Sequence, residues 1–351
     1  MAENSMIEWT DDTVNPWWGC TKVSPACTHC YAEAFSKRTG RAVWGPKAER
    51  WVRIDNAKRD LLKSVRRAIK EDSPRRVFMC SMADIFDEHP DLIEPRAEWW
   101  AILHEVAEMR LPDGRPAVIP LILSKRPEAM AAYAAEHGWP SNAWAGTTVE
   151  DQRRADERIP HLLRVPAPVR FLSLEPLLGP VDLGQWIERI DHCNECGMES
   201  APHVDDVCPH CHEEGHTIST WGEAQAERYR TGERYDDESA LGRADLDGVI
   251  DIHWLIIGGE SGPKARPMHP EWARSLIAQG QEAGVPVLFK QWGAWAPDSA
   301  GDHCITMSGR TMPNLEPSGR NGDGTARIKR IGKKAAGRII DGRTWDEVPR
   351  G

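Results

Sequence analysis

Nine cysteines carry the chemistry this sequence advertises, and they sort by spacing. Cys20, Cys27 and Cys30 form a C-x6-C-x2-C loop. Cys193, Cys196, Cys208 and Cys211 form two C-x2-C knuckles separated by eleven residues, and Cys80 and Cys304 stand alone. Two knuckles at that separation predict a zinc ribbon, because each supplies two thiolates to one tetrahedral ion. The residues between them are polar and lack a core pattern, so the metal has to supply the folding energy. His192, His203, His210, His212 and His216 lie close by and are expected as solvated neighbours of a site that four cysteines already close. A closed four-thiolate site is structural. It can staple an insertion or present a surface to nucleic acid or protein, and spacing does not choose between these. Three thiolates on one tight loop suit a [4Fe–4S] cluster with one iron left open. S-adenosylmethionine (SAM) can chelate such an iron through its amino and carboxylate groups. Zinc with His29 as a fourth ligand fits the same spacing.

Composition narrows the setting. The chain has 351 residues, 40% hydrophobic and 28% charged, which is ordinary for a globular protein and excludes a mainly disordered or collagen-like one. The longest apolar stretches, such as Ala117 to Leu123, fall far short of the roughly 20 residues of a membrane span. Met1 to Asp12 has neither a basic nor an apolar signal region, so no secretory signal is expected. The expectation is a cytoplasmic chain without a membrane partner, whose thiols stay reduced and serve as ligands rather than disulfides. The net charge of −10 argues against a nonspecific nucleic-acid binder but leaves room for a local basic groove. One run stands out: residues 327–338 carry six basic and no acidic residues, as a phosphate contact or a solvated face would. Trp outnumbers Tyr and Phe, 16 against 4 and 5. A GC-rich genome accounts for that as readily as base stacking does.

These groups need elements to position them. Short apolar runs predict strands at Val14 to Trp18, Val77 to Cys80, Val118 to Leu123, Ala143 to Thr147, Val169 to Leu172, Trp254 to Ile257 and Val285 to Phe289. Between them, helical patterns cover Ile54 to Glu71, Glu94 to Met109, Pro127 to His137, Asp151 to Leu163 and Pro270 to Ala283, with Asp151 as a plausible N-cap. The alternation predicts an α/β fold with a parallel sheet. The strands end in polar signatures: Ser81 and Asp84; Ser124, Lys125 and Arg126; Thr147, Thr148 and Glu150; Ser173 and Glu175; Glu260 and Ser261; Lys290 and Gln291. A (β/α) barrel builds its active site at such carboxyl ends, so a partial barrel is expected. Residues 184–251 break the alternation and read as the zinc-ribbon insertion. The barrel then spans 1–183 and 252–298. Residues 299–351 form a tail with a small β element near Ile340 to Val348.

The run Ile7-Glu-Trp-Thr-Asp-Asp-Thr-Val-Asn-Pro-Trp-Trp-Gly-Cys20, the three-cysteine loop and Tyr31-Ala-Glu33 together resemble the opening of the phage-associated three-Cys-motif protein family. The resemblance continues through Ser81-Met-Ala-Asp84, Leu123-Ser-Lys-Arg-Pro127, Gly146-Thr-Thr-Val-Glu150, Phe171-Leu-Ser-Leu-Glu175, Gly258-Gly-Glu-Ser-Gly262, Arg266-Pro-Met268 and Phe289-Lys-Gln-Trp-Gly293, with a weaker echo at Asp341 to Pro349. That family looks like a divergent radical-SAM branch, although the usual loop is C-x3-C-x2-C and the first gap here is six. The resemblance implies a radical-SAM barrel in which Cys20, Cys27 and Cys30 hold three irons. SAM on the fourth would be cleaved to a 5′-deoxyadenosyl radical by an electron from a donor such as flavodoxin or ferredoxin. Lys125 then suits the SAM carboxylate, and Ser81, Ser173 and Glu175 its amino and ribose groups. Glu260 and Lys290 are left for the substrate as catalytic residues, although any of these side chains could instead be a supporting ion pair. Relatives that repair DNA photoproducts, the basic run, the Trp content and the ribbon all point to a nucleic-acid substrate for modification or repair. The competing reading is a non-catalytic adaptor for nucleic acid or protein with zinc in both cysteine sets. It leaves the row of polar strand ends without a purpose.

Overall fold

Seven of the apolar runs become the strands of one sheet in the computed structural model. It describes residues 5, 7–187, 252–313 and 324–349, together with the backbone of the short strands Ala2–Glu3, Asp191–Cys193, Glu199–Ser200 and Ile218–Thr220. The strands are β1 (Asp12–Val14), β2 (Arg75–Met79), β3 (Val118–Ser124), β4 (Trp144–Thr148), β5 (Arg170–Leu174), β6 (Trp254–Gly258) and β7 (Val287–Gln291). They pair in chain order, every neighbour parallel, as a curled half-barrel. Ala2–Glu3 adds an antiparallel strand on the β1 edge. The connecting helices are α1 (Tyr31–Arg38), α2 (Ile54–Glu71), α3 (Ile93–Ala107), α4 (Pro127–His137), α5 (Gln152–Leu163) and α6 (Pro270–Glu282). Asp151 caps α5, its carboxylate accepting from the Arg154 amide at 3.0 Å. Among the described residues, no helix is long and apolar enough to cross a membrane.

Both faces of the sheet are apolar, as a parallel sheet covered on each side requires. Val77, Met79, Leu172, Leu255, Ile257 and Phe289 point outward into the core shared with the helices. Their alternates Phe78, Leu121, Trp144, Phe171, Trp254, Ile256 and Leu288 point into the curl, where they pack with Trp9. Rings meet there at 4.6 Å (Trp9 and Phe78) and 6.1 Å (Trp144 and Trp254, edge to face). Gly146 has no alternative in this layer, because a Cβ would lie 2.3 Å from the Phe171 ring. The concave face is therefore plugged by aromatics at its amino end and lined by Thr148, Ser173 and Lys290 at its carboxyl end.

Three expectations need correction. The first strand is shorter than Val14 to Trp18. Pro16 has no amide hydrogen to donate, and beyond it Trp17–Trp18 pairs antiparallel with Trp51–Val52 instead. Helix α1 has no counterpart among the expected elements. Most of the tail's β structure lies ahead of the expected element near Ile340 to Val348, which holds isolated bridges at Ile340, Arg343 and Asp346. The main part is a four-stranded antiparallel sheet of β8 (Trp295–Pro297), β9 (His303–Ile305), β10 (Thr311–Pro313) and β11 (Ala326–Arg330), in the order β8-β11-β9-β10. Strand β11 hides inside the basic run, because Ile328 is its fully buried residue and the Lys and Arg stems carry the rest. Residues 345–347 run along the free edge of β7: Phe289 donates to the Trp345 carbonyl at 3.0 Å and Glu347 to the Val287 carbonyl at 3.1 Å. The expected ribbon ligands Cys196, Cys208 and Cys211 lie outside the described residues, as does the side chain of Cys193.

Candidate functional site

The three-cysteine loop lies across the carboxyl ends of the strands and is clamped from two sides. Gly19 starts it at φ +110°, where a Cβ would meet the Val43 carbonyl oxygen at 2.2 Å, so only glycine turns the chain into Cys20. On one side two arginines hold it, Arg50 buried and Arg126 half-buried. Arg50 donates to Asp87 at 2.7 Å, to Thr21 Oγ1 at 2.9 Å and to the Gly45 carbonyl at 2.9 Å. Arg126, at the end of β3, reaches Asp84 and Asp87 at 3.0 Å each, the Thr21 carbonyl at 2.7 Å and the Cys20 sulfur at 3.7 Å. Asp84 also accepts from Ser124 Oγ at 2.8 Å and the Lys125 amide at 3.0 Å. On the other side the Ala26 amide reaches Glu150 at 3.4 Å, and Glu150 is fully buried against Arg158 at 2.7 Å. Glu260 grips Arg266 at 2.6 and 2.8 Å and meets His29 Nδ1 at 3.3 Å, while Arg266 donates to the Pro25 carbonyl at 3.0 Å. The ends of β2, β3, β4 and β6 thus hold one loop.

Beneath the loop opens a cavity of about 620 Å³, lined by Cys20, Cys27, Cys30, Ser81, Lys125, Ser173, Glu175, Glu260 and Lys290. Those are all the sequence-derived site residues outside the ribbon. Their partners redistribute the expected roles. Lys290 donates to Glu175 at 2.7 Å, and Gln291 donates to the same carboxylate at 2.8 Å, so two residues expected at different ligands are partners of each other. Glu260 is taken by Arg266. Burial pushes the Glu260 carboxyl up, but the hydrogen bonds and charge of Arg266 outweigh it and hold the carboxyl below its ordinary range. Ser81 Oγ accepts from Asn15 at 3.0 Å, and the Ser81 carbonyl accepts from the Tyr31 hydroxyl at 2.6 Å.

Other groups at the wall are open. Among the described residues the Lys125 ammonium meets no acceptor. Thr148 Oγ1 and Gln291 Oε1, both buried, have no hydrogen-bond partner. Thr148, Arg126 and Arg266 are the residues that sequence reasoning left without a role. Thr148 and Arg126 stood at strand ends and Arg266 in the Arg266-Pro-Met268 motif, but nothing in a one-dimensional pattern says which of several neighbouring polar residues turns inward.

Burial, with Asp84 adding to it, pushes the Cys20 thiol up to about 12 against the opposing pull of Arg126. At neutral pH this sulfur is therefore a protonated thiol until a cation bonds to it, since coordination deprotonates a thiol outright. Among the described residues no three His, Cys, Asp or Glu side chains gather about a single point fit for one metal ion. Cys27, Cys30 and His29 share the wall with Cys20 but do not form a tetrahedron with it, and His29 is turned to Glu260. Cys80, buried at φ +62° at the end of β2, also borders the cavity, whereas Cys304 is buried in the tail sheet.

No curated protein and no solved structure matches the chain. A family model does, over residues 4–349, and the chain belongs to that family, described as "Protein of unknown function (DUF5131)".

Proposed function

We propose that the chain is an iron–sulfur enzyme that cleaves SAM reductively, in a cytoplasmic setting that keeps its thiols free. The observation that carries this reading is the convergence of three cysteines from one loop and the polar ends of the strands on a single cavity of about 620 Å³, a size suited to a small-molecule ligand. The donor set fits the group. Thiolates are what a [4Fe–4S] cluster binds, and a cluster presents separate irons to separate sulfurs, so its ligands need not gather about one point. The open Lys125 ammonium suits the carboxylate of SAM, and the unpartnered Thr148 hydroxyl, with Ser173 beside it, suits its polar hydroxyls. Cys20, Cys27 and Cys30 would hold the cluster, and cluster and SAM together would supply one-electron reductive chemistry, fed by a donor such as flavodoxin or ferredoxin.

The chain's own residues bind, orient and exclude water. Arg126 and Arg50 fix the loop through Thr21, and Arg126 places a positive charge beside the Cys20 sulfur. Glu260 acts as a positioning residue: through Arg266 and His29 it anchors the Pro25 and His29 region of the loop. Glu175 and Lys290, held by each other and by Gln291, form a fixed polar wall. At the amino end of the curl the rings of Trp9 and Phe78 form part of the cavity wall.

Anaerobic reconstitution with iron and sulfide tests the proposal. A brown chain holding about four irons, which releases 5′-deoxyadenosine from SAM on reduction, is the expected result. A colourless chain that takes up zinc alone and leaves SAM intact overturns it and favours the adaptor reading.

A further inference from the structure

In a chain of net charge −10, two segments are strongly basic, and both border the cavity. Residues 31–53 carry six Lys and Arg against two Glu, and residues 327–338 carry six against none. Tyr31 of the first segment and Lys333 of the second line the cavity. Lys333 sits on a single helical turn, Lys333–Ala336, that follows β11, where Arg330 donates to the Gly262 carbonyl at 3.1 Å and so ties the basic run to the loop after β6.

The first segment has a second property. Tyr31 is 60% exposed and Phe35, one turn further along α1, is 40% exposed. Phe35 packs on Trp18 at 5.7 Å, and Trp18 on Trp51 at 5.0 Å. The arginines on this strip rest on rings rather than on carboxylates: Arg38 on Phe35 at 5.5 Å, Arg41 on Trp51 at 3.7 Å and Arg53 on Trp51 at 4.6 Å. None of the three has a carboxylate partner among the described residues. Their charge is therefore not neutralised by a carboxylate among the described residues. Alternating rings and unneutralised guanidiniums leading to a cavity match a polymer with flat π-faces and a charge on every unit.

We infer that the strip Tyr31–Phe35–Trp18–Trp51, with Arg38, Arg41 and Arg53, is a track for a single-stranded polynucleotide, and that Lys333 and Lys334 hold its phosphates across the cavity mouth. This deepens the proposed function and rests on it for what happens to the base delivered to the cavity; the binding itself does not. Tyr31 and Phe35 are exposed and Trp18 and Trp51 half-buried behind them; open rings serve unpaired bases, whose faces are free, whereas a duplex offers its faces to stacking within itself.

The test measures fluorescence anisotropy of labelled oligothymidylate, oligouridylate and a DNA duplex with the full chain, without reconstitution and without SAM. Expected are tighter binding to both single strands than to the duplex, and affinity that falls linearly on a log–log salt plot. The double variants Arg38→Ala/Arg41→Ala and Lys333→Ala/Lys334→Ala should each weaken the affinity about tenfold and flatten the salt slope by about 1.4, at roughly 0.7 for each phosphate of a single strand that is no longer neutralised. Lys333 and Lys334 are exposed, so their replacement leaves the fold intact. Affinity that is flat with salt, equal for duplex and single strand, or unmoved by both variants overturns the inference. The reconstitution experiment needs no oligonucleotide. A chain that cleaves SAM but binds no strand sinks the track alone, and one that binds the strand but takes up no iron sinks the enzyme reading alone.

Discussion

The two ends of the concave face are built from the same strands and have opposite characters. At the amino end Trp9, Phe78, Trp144, Phe171 and Trp254 fill the curl with rings. At the carboxyl end, two to six residues further along the chain, the side chains are charged, paired or open, and they enclose a cavity. The difference shows how a parallel sheet divides its labour: each strand contributes burial at one end and chemistry at the other, so either can be altered separately. The ionic end is not loose. Arg50, Arg126, Glu150 and Glu260 fasten the cysteine loop through ion pairs and hydrogen bonds, where packing fastens the floor.

Substitutions at the two ends should therefore separate activity from stability. The largest effect is expected at the loop: Cys30→Ala should abolish the iron–sulfur absorption and SAM cleavage after reconstitution while moving the urea midpoint little, whereas Cys304→Ala should leave the spectrum unchanged. At the floor, Trp254→Ala should cost about 4 kcal/mol in urea unfolding, because it empties a fully buried site and removes the donor to the Glu347 carbonyl at 2.8 Å. Equal spectral effects of the two changes would break the division. Arg126→Ala should do both at once. Removing one partner of the buried pairs with Asp84 and Asp87 costs about 3 kcal/mol and frees the loop at Thr21, so iron uptake should fall with it. Gly146→Ala should cost about 2 kcal/mol through overpacking against Phe171; adding Phe171→Leu should recover part of that, and a double-mutant cycle of unfolding free energies reads the coupling.

The smallest effect concerns pH. Glu260 is held below its ordinary value of 4.5 in the folded chain. Its contribution is therefore present above that value and is lost as pH falls through it toward the lower folded value. The gap in urea midpoint between wild type and Glu260→Gln should be open at pH 7 and close below about 4.5. A gap that stays constant would show that the carboxylate charge is not what holds the loop.

The barrel was legible because its signals are local. Helices Ile54–Glu71 and Pro127–His137 fall on their expected bounds, and six of the seven strands share at least three residues with their expected ranges. The site was legible as a set: cysteine spacing and strand ends named nine residues that all reach one cavity. What the pattern could not carry was pairing. Glu175 and Lys290 lie 115 residues apart and meet at 2.7 Å, and the partner of Glu260 had to be found six residues on at Arg266. The first distance is fixed by the curl of the sheet and the second by the fold of the loop after β6, neither by a periodic pattern of sequence. The tail was misread for a different reason: its strands are three to five residues long and bury little, so charge hid their alternation.

A half-barrel leaves two open edges, each a row of unpaired amides and carbonyls that a strand from another copy could join. Here residues 2–3 lie on the β1 edge and residues 345–347 on the β7 edge, with the Glu347 carboxylate also accepting from the Val287 amide at 3.0 Å. The chain thereby occupies its own docking positions. Each flank therefore presents a shortened, partly covered row of amides and carbonyls to another copy, which blunts edge-to-edge pairing while the curl stays open at the mouth.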